Sequence, residues 1–231
     1  MTGRSNVRIV LSGDSAIVVQ LGARIDLEIN ARVTRLADAV QAAAIPGVRD
    51  VVPTYCSVAV FFDPLRTDYP GLVGWLERQV DQLTGLPIAE PRSVEIPVCY
   101  EGEFGPDLAA VAAFAGRSPQ DVVAIHASRT YRVFMLGFMP GFAYLGVLDP
   151  RIAMPRRATP RPRVPSGAVG IAGEQTGIYS VETPGGWQLI GRTPLAPFDP
   201  ARSVPFLLQA GDAVRFVPID RDEYQRMIAS A

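Results

Sequence analysis

Residues 168–192, AVGIAGEQTGIYSVETPGGWQLIGR, decide how the second half of this chain folds. Short apolar runs in this stretch are broken by glycine and proline at intervals too short for helices. The pattern predicts strands over residues 168–172, 177–182 and 186–191, joined by tight turns. Short strands connected in this way are typical of a closed or nearly closed β-barrel.

The segment before this stretch is rich in proline and arginine. Six prolines fall between positions 140 and 165, and five arginines occupy positions 151, 156, 157, 161 and 163. Because proline breaks helices and lacks a backbone donor, the composition predicts an extended, rigid loop. Elsewhere in this half, the apolar patterns predict strands over residues 94–100 and 211–218 and helices over residues 106–115, 118–126 and 221–228.

The first ninety residues predict a separate α/β unit. Apolar runs indicate strands over residues 7–11, 16–21, 48–52 and 58–62, and helical spacing indicates helices after Asp26 and over residues 68–83. The order ββαββα favours a small sheet with helices on one face. Two prolines in residues 86–91 mark a boundary. We therefore predict an α+β protein with an α/β sheet domain at residues 1–88 and a β-barrel domain at residues 89–231.

Composition limits the classes of function. The chain has 231 residues, 48% of them hydrophobic and 19% charged, with a formal net charge of −1, which is typical of a soluble globular protein and does not favour a nucleic-acid partner. No secretory signal pattern or membrane-length apolar run is present, so we expect no membrane association. Cys56 and Cys99 lack metal-binding spacing, which predicts a reducing, cytoplasmic location and no metal site.

The absence of lysine is the most specific compositional fact. All 22 basic residues are arginine. A Schiff-base lysine, a biotinyl or lipoyl acceptor lysine and the lysine of the P-loop are therefore excluded. We expect no covalent cofactor of these kinds, and any nucleotide must be held without a P-loop in this chain or by another chain.

Several motifs in a fixed order resemble the KipI family, which is also called allophanate hydrolase subunit 1 or the B subunit of 5-oxoprolinase and includes PxpB-like proteins. The motifs cover essentially the whole chain, since residues 13–16 and 53–57 also resemble the family's N-terminal landmarks. The motifs of the second half are GFMPGFAYLG at 137–146, TPRPRVP at 159–165, GIAG at 170–173, QTGIY at 175–179 and PGGWQLIGRTP at 184–194.

The resemblance implies a fold and a reaction. It implies a cyclophilin-like β-barrel in the second domain and a subunit of a heteromeric, ATP-dependent 5-oxoprolinase, inactive alone, which converts 5-oxo-L-proline, ATP and water to L-glutamate, ADP and phosphate. The implied partners are a KipA or allophanate hydrolase subunit 2-type chain and a third subunit, with ATP and Mg²⁺ bound in the complex. The alternatives are a subunit of a urea- or allophanate-type amidohydrolase or carboxyltransferase, and a KipI-type histidine kinase inhibitor.

The chemistry of lactam opening suggests which residues act. The amide must be activated by phosphorylation of its oxygen or by stabilisation of a developing oxyanion, and arginine serves either purpose. Within and beside the resembling motifs, the catalytic candidates are His126 as a general base, Arg157 and Arg192. The substrate-binding candidates are polar, aromatic or glycine residues of the same segments: Arg132, Phe138, Pro140, Gly141, Tyr144, Arg163, Gln175, Tyr179, Gly185, Gly186 and Trp187.

Structural alternatives exist for these candidates. His126 lies near a predicted helix end, where an imidazolium would stabilise the terminal carbonyls. Trp187 follows two glycines and is equally suited to plug the core beneath a turn. Tyr179 lies in an alternating strand, and the arginines between positions 151 and 163 also suit a solvated loop or a subunit interface.

Overall fold

The computed structural model of the protein describes residues 7–83 and 90–230. The chain divides into two compact units, Met1–Glu90 and Pro91–Ala231. The boundary predicted between residues 88 and 89 lies outside the described residues. The first unit is an α/β sheet and the second contains the barrel, so the predicted α+β class is confirmed.

The first unit is built on a four-stranded antiparallel sheet with strand order β1-β2-β4-β3. Two helices pack against this sheet in one hydrophobic core. The predicted order ββαββα is confirmed. The elements are β1 (Arg8–Leu11), β2 (Ala16–Gln20), α1 (Leu27–Ala42), β3 (Val48–Pro53), β4 (Ser57–Phe62) and α2 (Tyr69–Gln82).

Helix α1 shows how local sequence fixes this unit. The Asp26 carboxylate accepts hydrogen bonds from the backbone amides of Glu28 at 2.9 Å and Ile29 at 3.2 Å. These bonds satisfy donors that the first turn of a helix leaves unpaired. Apolar residues then recur at helical spacing and are buried against the sheet, where Val33, Leu36 and Val40 meet alternate strand residues such as Ile17 and Val60.

The second unit contains a closed, seven-stranded barrel, which confirms the predicted barrel. Its strand order is β10-β7-β6-β13-β5-β12-β9, and β9 pairs with β10 to close it. Strands β8 and β11 form a separate two-stranded sheet. The strands are β5 (Ser93–Cys99), β6 (Thr130–Leu136), β7 (Ala143–Gly146), β8 (Arg161–Val164), β9 (Ala168–Ala172), β10 (Gln175–Ile178), β11 (Thr183–Gly185), β12 (Gln188–Arg192) and β13 (Ala213–Ile219).

Among residues 90–230, the barrel is accompanied by three α-helices, α3 (Leu108–Ala115), α4 (Pro119–Ala127) and α5 (Arg221–Ala229), and by two short 3-10 helices at Gly102–Phe104 and Pro150–Ile152. Helix α4 begins with a capping box, because the Ser118 hydroxyl accepts from the Asp121 amide and the Asp121 carboxylate accepts from the Ser118 amide. In the part of the chain that the structure describes, no helix is long and apolar enough to span a bilayer.

Two predicted segments differ from the structure. The strand predicted over residues 177–182 ends at Ile178, and the chain then forms β11, which pairs with β8 outside the barrel. The proline-rich segment, predicted as a loop throughout, contains β7, a short 3-10 helix (Pro150–Ile152) and β8. Proline is compatible with a short edge strand because one side of such a strand has no partner.

Candidate active site

The structure places His126 inside the barrel unit, away from solvent. Its side chain is fully buried on α4, and its ring stacks on Phe216 with centroids 4.5 Å apart. The Nδ1 atom lies 2.8 Å from the Tyr100 hydroxyl, and Nε2 lies 3.0 Å from the Thr176 hydroxyl. Both nitrogens are therefore already engaged by side chains of the protein.

The hydrogen bonds around His126 determine which of its two ring nitrogens carries the hydrogen. The Thr176 hydroxyl donates its hydrogen to the Gly170 carbonyl at 3.0 Å, so it must accept from Nε2–H. The Nδ1 atom then accepts from the Tyr100 hydroxyl. Burial lowers the pKa of His126 to about 3, so the imidazole is neutral at physiological pH. The prediction that His126 is a general base stays untested, and this environment favours a structural role.

Phe142 lies at the centre of a cluster of aromatic rings. Its ring centroid is 4.7 Å from that of Tyr144, 5.1 Å from that of Tyr179 and 5.5 Å from that of Trp187, all in edge-to-face geometry. Such geometry sets the positive edge of one ring against the negative face of another. The structure thus brings together three predicted substrate-binding residues, around a fourth aromatic residue that the sequence reasoning did not single out.

Burial differs among these rings. Tyr179 and Trp187 are buried, which favours the packing alternative for both, whereas Tyr144 is half-buried at the edge of the cluster. Burial raises the pKa of the Tyr179 phenol, although a hydrogen bond from the Trp187 backbone amide acts in the opposite direction. The phenol lies so close to Gly185 that a Cβ there would be 2.4 Å from the Tyr179 oxygen.

The loop between β6 and β7 carries three more predicted residues. Phe138 adopts a φ of +65° and leaves 66% of its surface exposed, while its ring packs edge-to-face on Phe142 at 5.7 Å. The Pro140 carbonyl accepts a hydrogen bond from the Ser180 hydroxyl. Gly141 has a φ of +77°, and a Cβ there would lie 2.7 Å from the Phe198 Cβ. The loop is therefore fixed at both ends and exposes an aromatic side chain.

Asp107 anchors the arginine-rich segment to the barrel. Its carboxylate accepts hydrogen bonds from Arg157 Nη1 at 3.2 Å, from Arg161 Nη2 at 2.6 Å and from the Leu189 backbone amide at 2.7 Å. Asp107 is only 4% exposed. We name these three charged side chains the Asp107 network. It brings the predicted catalytic Arg157 together with two residues that the sequence reasoning did not propose.

The Asp107 network is continuous with the aromatic cluster. The Arg157 backbone amide donates to the Gly186 carbonyl at 2.8 Å, one residue before Trp187. The Arg156 guanidinium lies over the Trp187 ring, with Cζ 5.9 Å from the ring centroid. Arginine, aromatic and glycine residues from separate segments of the sequence therefore lie together in one candidate site on the barrel unit.

Other predicted residues make contacts elsewhere. The Arg192 Nε donates to the Ser166 carbonyl at 2.9 Å, a contact that holds the turn before β9. Arg163 pairs with the exposed Glu182 at 2.7 Å. Arg132 and Gln175 are half-buried on β6 and β10, and each has an interaction partner. The contacts named above do not join these four to the Asp107 network, so their substrate-binding or catalytic roles stay predictions.

Residues 7–83 and 90–230 contain no group of three or more His, Cys, Asp or Glu side chains placed to hold a metal ion. Cys56 and Cys99 are free thiols. Beside the aromatic cluster, the guanidinium groups of Arg156, Arg157 and Arg161 are charged groups that a ligand could use.

The chain is similar to known proteins along most of its length. A family model described as "Carboxyltransferase domain, subdomain C and D" matches residues 7–208. The chain is 43% identical over 222 residues to the B subunit of 5-oxoprolinase from Bacillus subtilis strain 168, and this match covers 92% of each chain. This chain belongs to the family of 5-oxoprolinase B subunits. It is also 45% identical over 211 residues to the family member from Escherichia coli O157:H7, which carries the same name, with 91% of this chain and 95% of the relative covered.

Solved structures extend the comparison. The crystal structure of TTHA0988 superposes with a TM-score of 0.80 at 42% identity, covering 89% of this chain, which spans only 40% of that longer chain. The urea amidolyase of Kluyveromyces lactis superposes with a TM-score of 0.76 at 24% identity, covering all of this chain and 16% of the larger protein. The urea amidolyase match shows a shared fold. The family resemblance inferred from the motifs is confirmed by the two B subunits of 5-oxoprolinase.

Proposed function

We propose that this chain is a subunit of a heteromeric, ATP-dependent 5-oxoprolinase. The observation that carries the proposal is the end-to-end similarity, at 43% and 45% identity, to two proteins named as B subunits of 5-oxoprolinase. The proposed reaction converts 5-oxo-L-proline, ATP and water to L-glutamate, ADP and phosphate. The urea amidolyase match, at 24% identity, supports the fold alone and gives no matching support for a urea-type substrate.

The chemistry of the site supports this proposal. The substrate has a small ring, which the half-buried Tyr144 and the exposed Phe138 are suited to contact. It also has a carboxylate. Its amide oxygen gains negative charge when a nucleophile adds to the carbonyl carbon, and phosphorylation of that oxygen would instead attach an anionic phosphoryl group to it. Guanidinium groups such as that of Arg157 are suited to bind such oxygens through two parallel hydrogen bonds.

The proposed enzyme requires partners. We propose a KipA or allophanate hydrolase subunit 2-type chain and a third subunit, with this chain inactive alone. We propose that ATP and its Mg²⁺ bind on a partner or at a shared surface, because the chain contains no lysine for a P-loop. We propose a cytoplasmic location, which fits the ATP requirement and the free thiols.

Reconstitution tests the proposal. The chain is coexpressed with its candidate partner subunits, and L-glutamate and ADP are measured after addition of 5-oxo-L-proline and ATP, with each subunit omitted in turn. We expect equal amounts of the two products only when all subunits are present. A stable, folded complex that releases no glutamate contradicts the proposal, and parallel assays with urea and allophanate would then test the amidohydrolase alternative.

A further inference from the structure

The charges around Asp107 do not balance. Two guanidinium groups, those of Arg157 and Arg161, share a single carboxylate that is 6% exposed at the side chain. Arg156 adds a third positive charge over Trp187, and no carboxylate among the described residues pairs with it. The side chains of Arg156, Arg157 and Arg161 carry three positive charges against the single negative charge of Asp107, so the group has a net charge of +2. A partly buried excess of positive charge favours an anionic ligand.

One donor of this group has no acceptor. Arg161 Nη2 is bound to Asp107 at 2.6 Å, whereas Arg161 Nη1 is buried and has no hydrogen-bond partner among the described residues. Because Asp107 is also held by the Leu189 amide, the guanidinium cannot turn its Nη1 atom toward that carboxylate without giving up an existing bond. Buried polar groups are normally paired, so this unpaired donor leaves the charge of Arg161 incompletely compensated inside the protein. The Arg161 side chain is 21% exposed, and an anion from outside the chain would meet the guanidinium at its accessible edge.

The fixed donor belongs to the site that holds the aromatic cluster. The charges of Arg156 and Arg161 both act on the Tyr179 phenol, whose pKa burial raises and these two cations lower. Tyr179 in turn packs on Phe142, and Arg156 lies over Trp187. An anion bound by the Arg161 guanidinium would therefore lie near Tyr179, in the same cluster as the half-buried Tyr144, which is suited to contact the rest of a small ligand.

We propose that Arg161, together with Arg156, forms a subsite for the carboxylate of a small ligand, and that Asp107 is the positioning residue that holds Arg161 in place. The identity of that ligand as 5-oxo-L-proline rests on the proposed function, which this subsite deepens. Phosphate shares the chemistry that guanidinium groups recognise, so the experiments separate the two anions.

The first test uses the assembled complex. We expect Arg161→Gln to raise the KM for 5-oxo-L-proline at least tenfold while kcat changes less than threefold, because the carboxylate contact is made equally in the ground and transition states. Arg161→Lys should restore part of the affinity, and Asp107→Asn should raise KM in the same direction. The control is Arg49→Gln, which removes an exposed guanidinium paired with Asp63 at 2.9 Å in the other unit. An unchanged KM in a folded Arg161→Gln complex overturns the subsite.

The second test measures binding without turnover. Thermal unfolding of the complex is followed with 5-oxo-L-proline, with 2-pyrrolidone, which is the same ring without its carboxylate, and with inorganic phosphate. We expect 5-oxo-L-proline to raise the melting temperature of the wild type and not of Arg161→Gln, and 2-pyrrolidone to affect both equally. Protection by phosphate alone, or equal protection of both proteins by 5-oxo-L-proline, overturns the carboxylate subsite.

The two tests separate the subsite from the proposed function. If the wild-type complex releases no glutamate, the proposed function fails. Protection by 5-oxo-L-proline that is lost in Arg161→Gln would still support the subsite in that case. If the wild type is active and the Arg161→Gln variant matches it in both KM and melting shift, the subsite alone is overturned.

Discussion

The Nε2 atom of His126 lies 3.0 Å from the hydroxyl of Thr176, fifty residues further along the chain. This contact is the middle of a hydrogen-bonded series from the Tyr100 hydroxyl to the Gly170 carbonyl. The series joins the residue after β5 to α4, β10 and β9 within the core. A general base must reach a substrate proton, directly or through one water, and a ring enclosed in this way is better placed to hold secondary-structure elements together.

Replacement of His126 tests this structural role. We expect His126→Ala to lower the free energy of unfolding by about 3 kcal/mol, because the variant leaves the Tyr100 hydroxyl without its acceptor and opens a cavity beside Phe216. Urea denaturation measures the change, and Gln120→Ala on the exposed side of the same helix is the control. In a complex that is assembled with the folded His126→Ala variant, kcat should stay within threefold of the wild-type value. Unchanged stability with kcat reduced a hundredfold would instead establish His126 as a catalytic base.

The protonation of His126 makes stability depend on pH. The pKa of this group is about 3 in the folded protein and 6.5 in the unfolded chain, so the unfolded chain binds more protons between these values. The stabilising contribution is complete above pH 6.5 and decreases as the pH falls below it. We expect wild type to be less stable by about 1 kcal/mol at pH 5.5 than at pH 7.0.

The matched comparison uses a chain without histidine. His126 is the only histidine, so the unfolding free energy of His126→Gln should change little between pH 7.0 and pH 5.5. The carboxylates whose pKa values are lowered on folding, such as Asp149, lose their contribution only as the pH falls below about 4. An equal decrease in both proteins would show that another group titrates in this range.

Strands β5, β9, β12, β13 and part of β10 could be predicted locally, whereas β6 and β7 were not predicted and the strand pairing that closes the barrel has no local signal. Glycine or proline lies within two residues of both ends of β9 and β12, and each apolar run between them is short enough to be a strand. Closure also depends on the parallel pairing of Ser93 with Ala213 along β5 and β13. No local pattern encodes a pairing between residues so distant in sequence.

In the candidate site, too, some features follow from the local sequence and others depend on contacts between residues distant in sequence. Asp107 directly precedes α3 and resembles a helix-capping residue, but its carboxylate makes no cap and instead binds arginines 50 and 54 residues away. The burial of His126, in contrast, was encoded locally. It follows Val122 by four residues, which places it on the buried face of α4 together with Ile125.

Close packing between Gly185 and Tyr179 predicts a sharp difference between neighbouring glycines. A Cβ at position 185 would lie 2.4 Å from the Tyr179 oxygen, whereas a Cβ at position 186 would meet its nearest neighbour, in Pro160, at 3.7 Å. We expect Gly185→Ala to cost about 2 kcal/mol of stability and Gly186→Ala to stay within about 0.5 kcal/mol. Because Tyr179 packs on Phe142, Gly185→Ala should also lower kcat/KM of the complex at least tenfold. Urea denaturation and the glutamate assay measure both effects, and equal stability of the two variants would contradict the packing argument.

Alanine substitutions at Gly141 and Gly173 distinguish the cost of backbone strain from the cost of a steric clash. Both have positive φ, +77° and +57°, so alanine is strained at either position. A Cβ at Gly173 meets nothing within 4 Å, while one at Gly141 would lie 2.7 Å from the Phe198 Cβ and 3.2 Å from the Pro197 carbonyl oxygen. We expect Gly173→Ala to cost about 1 kcal/mol and Gly141→Ala about 3 kcal/mol, because only the second adds a clash with packed atoms to the strained φ. Urea denaturation of the two variants measures the difference, and equal costs would mean that the loop between β6 and β7 moves away from Phe198 without loss of stability.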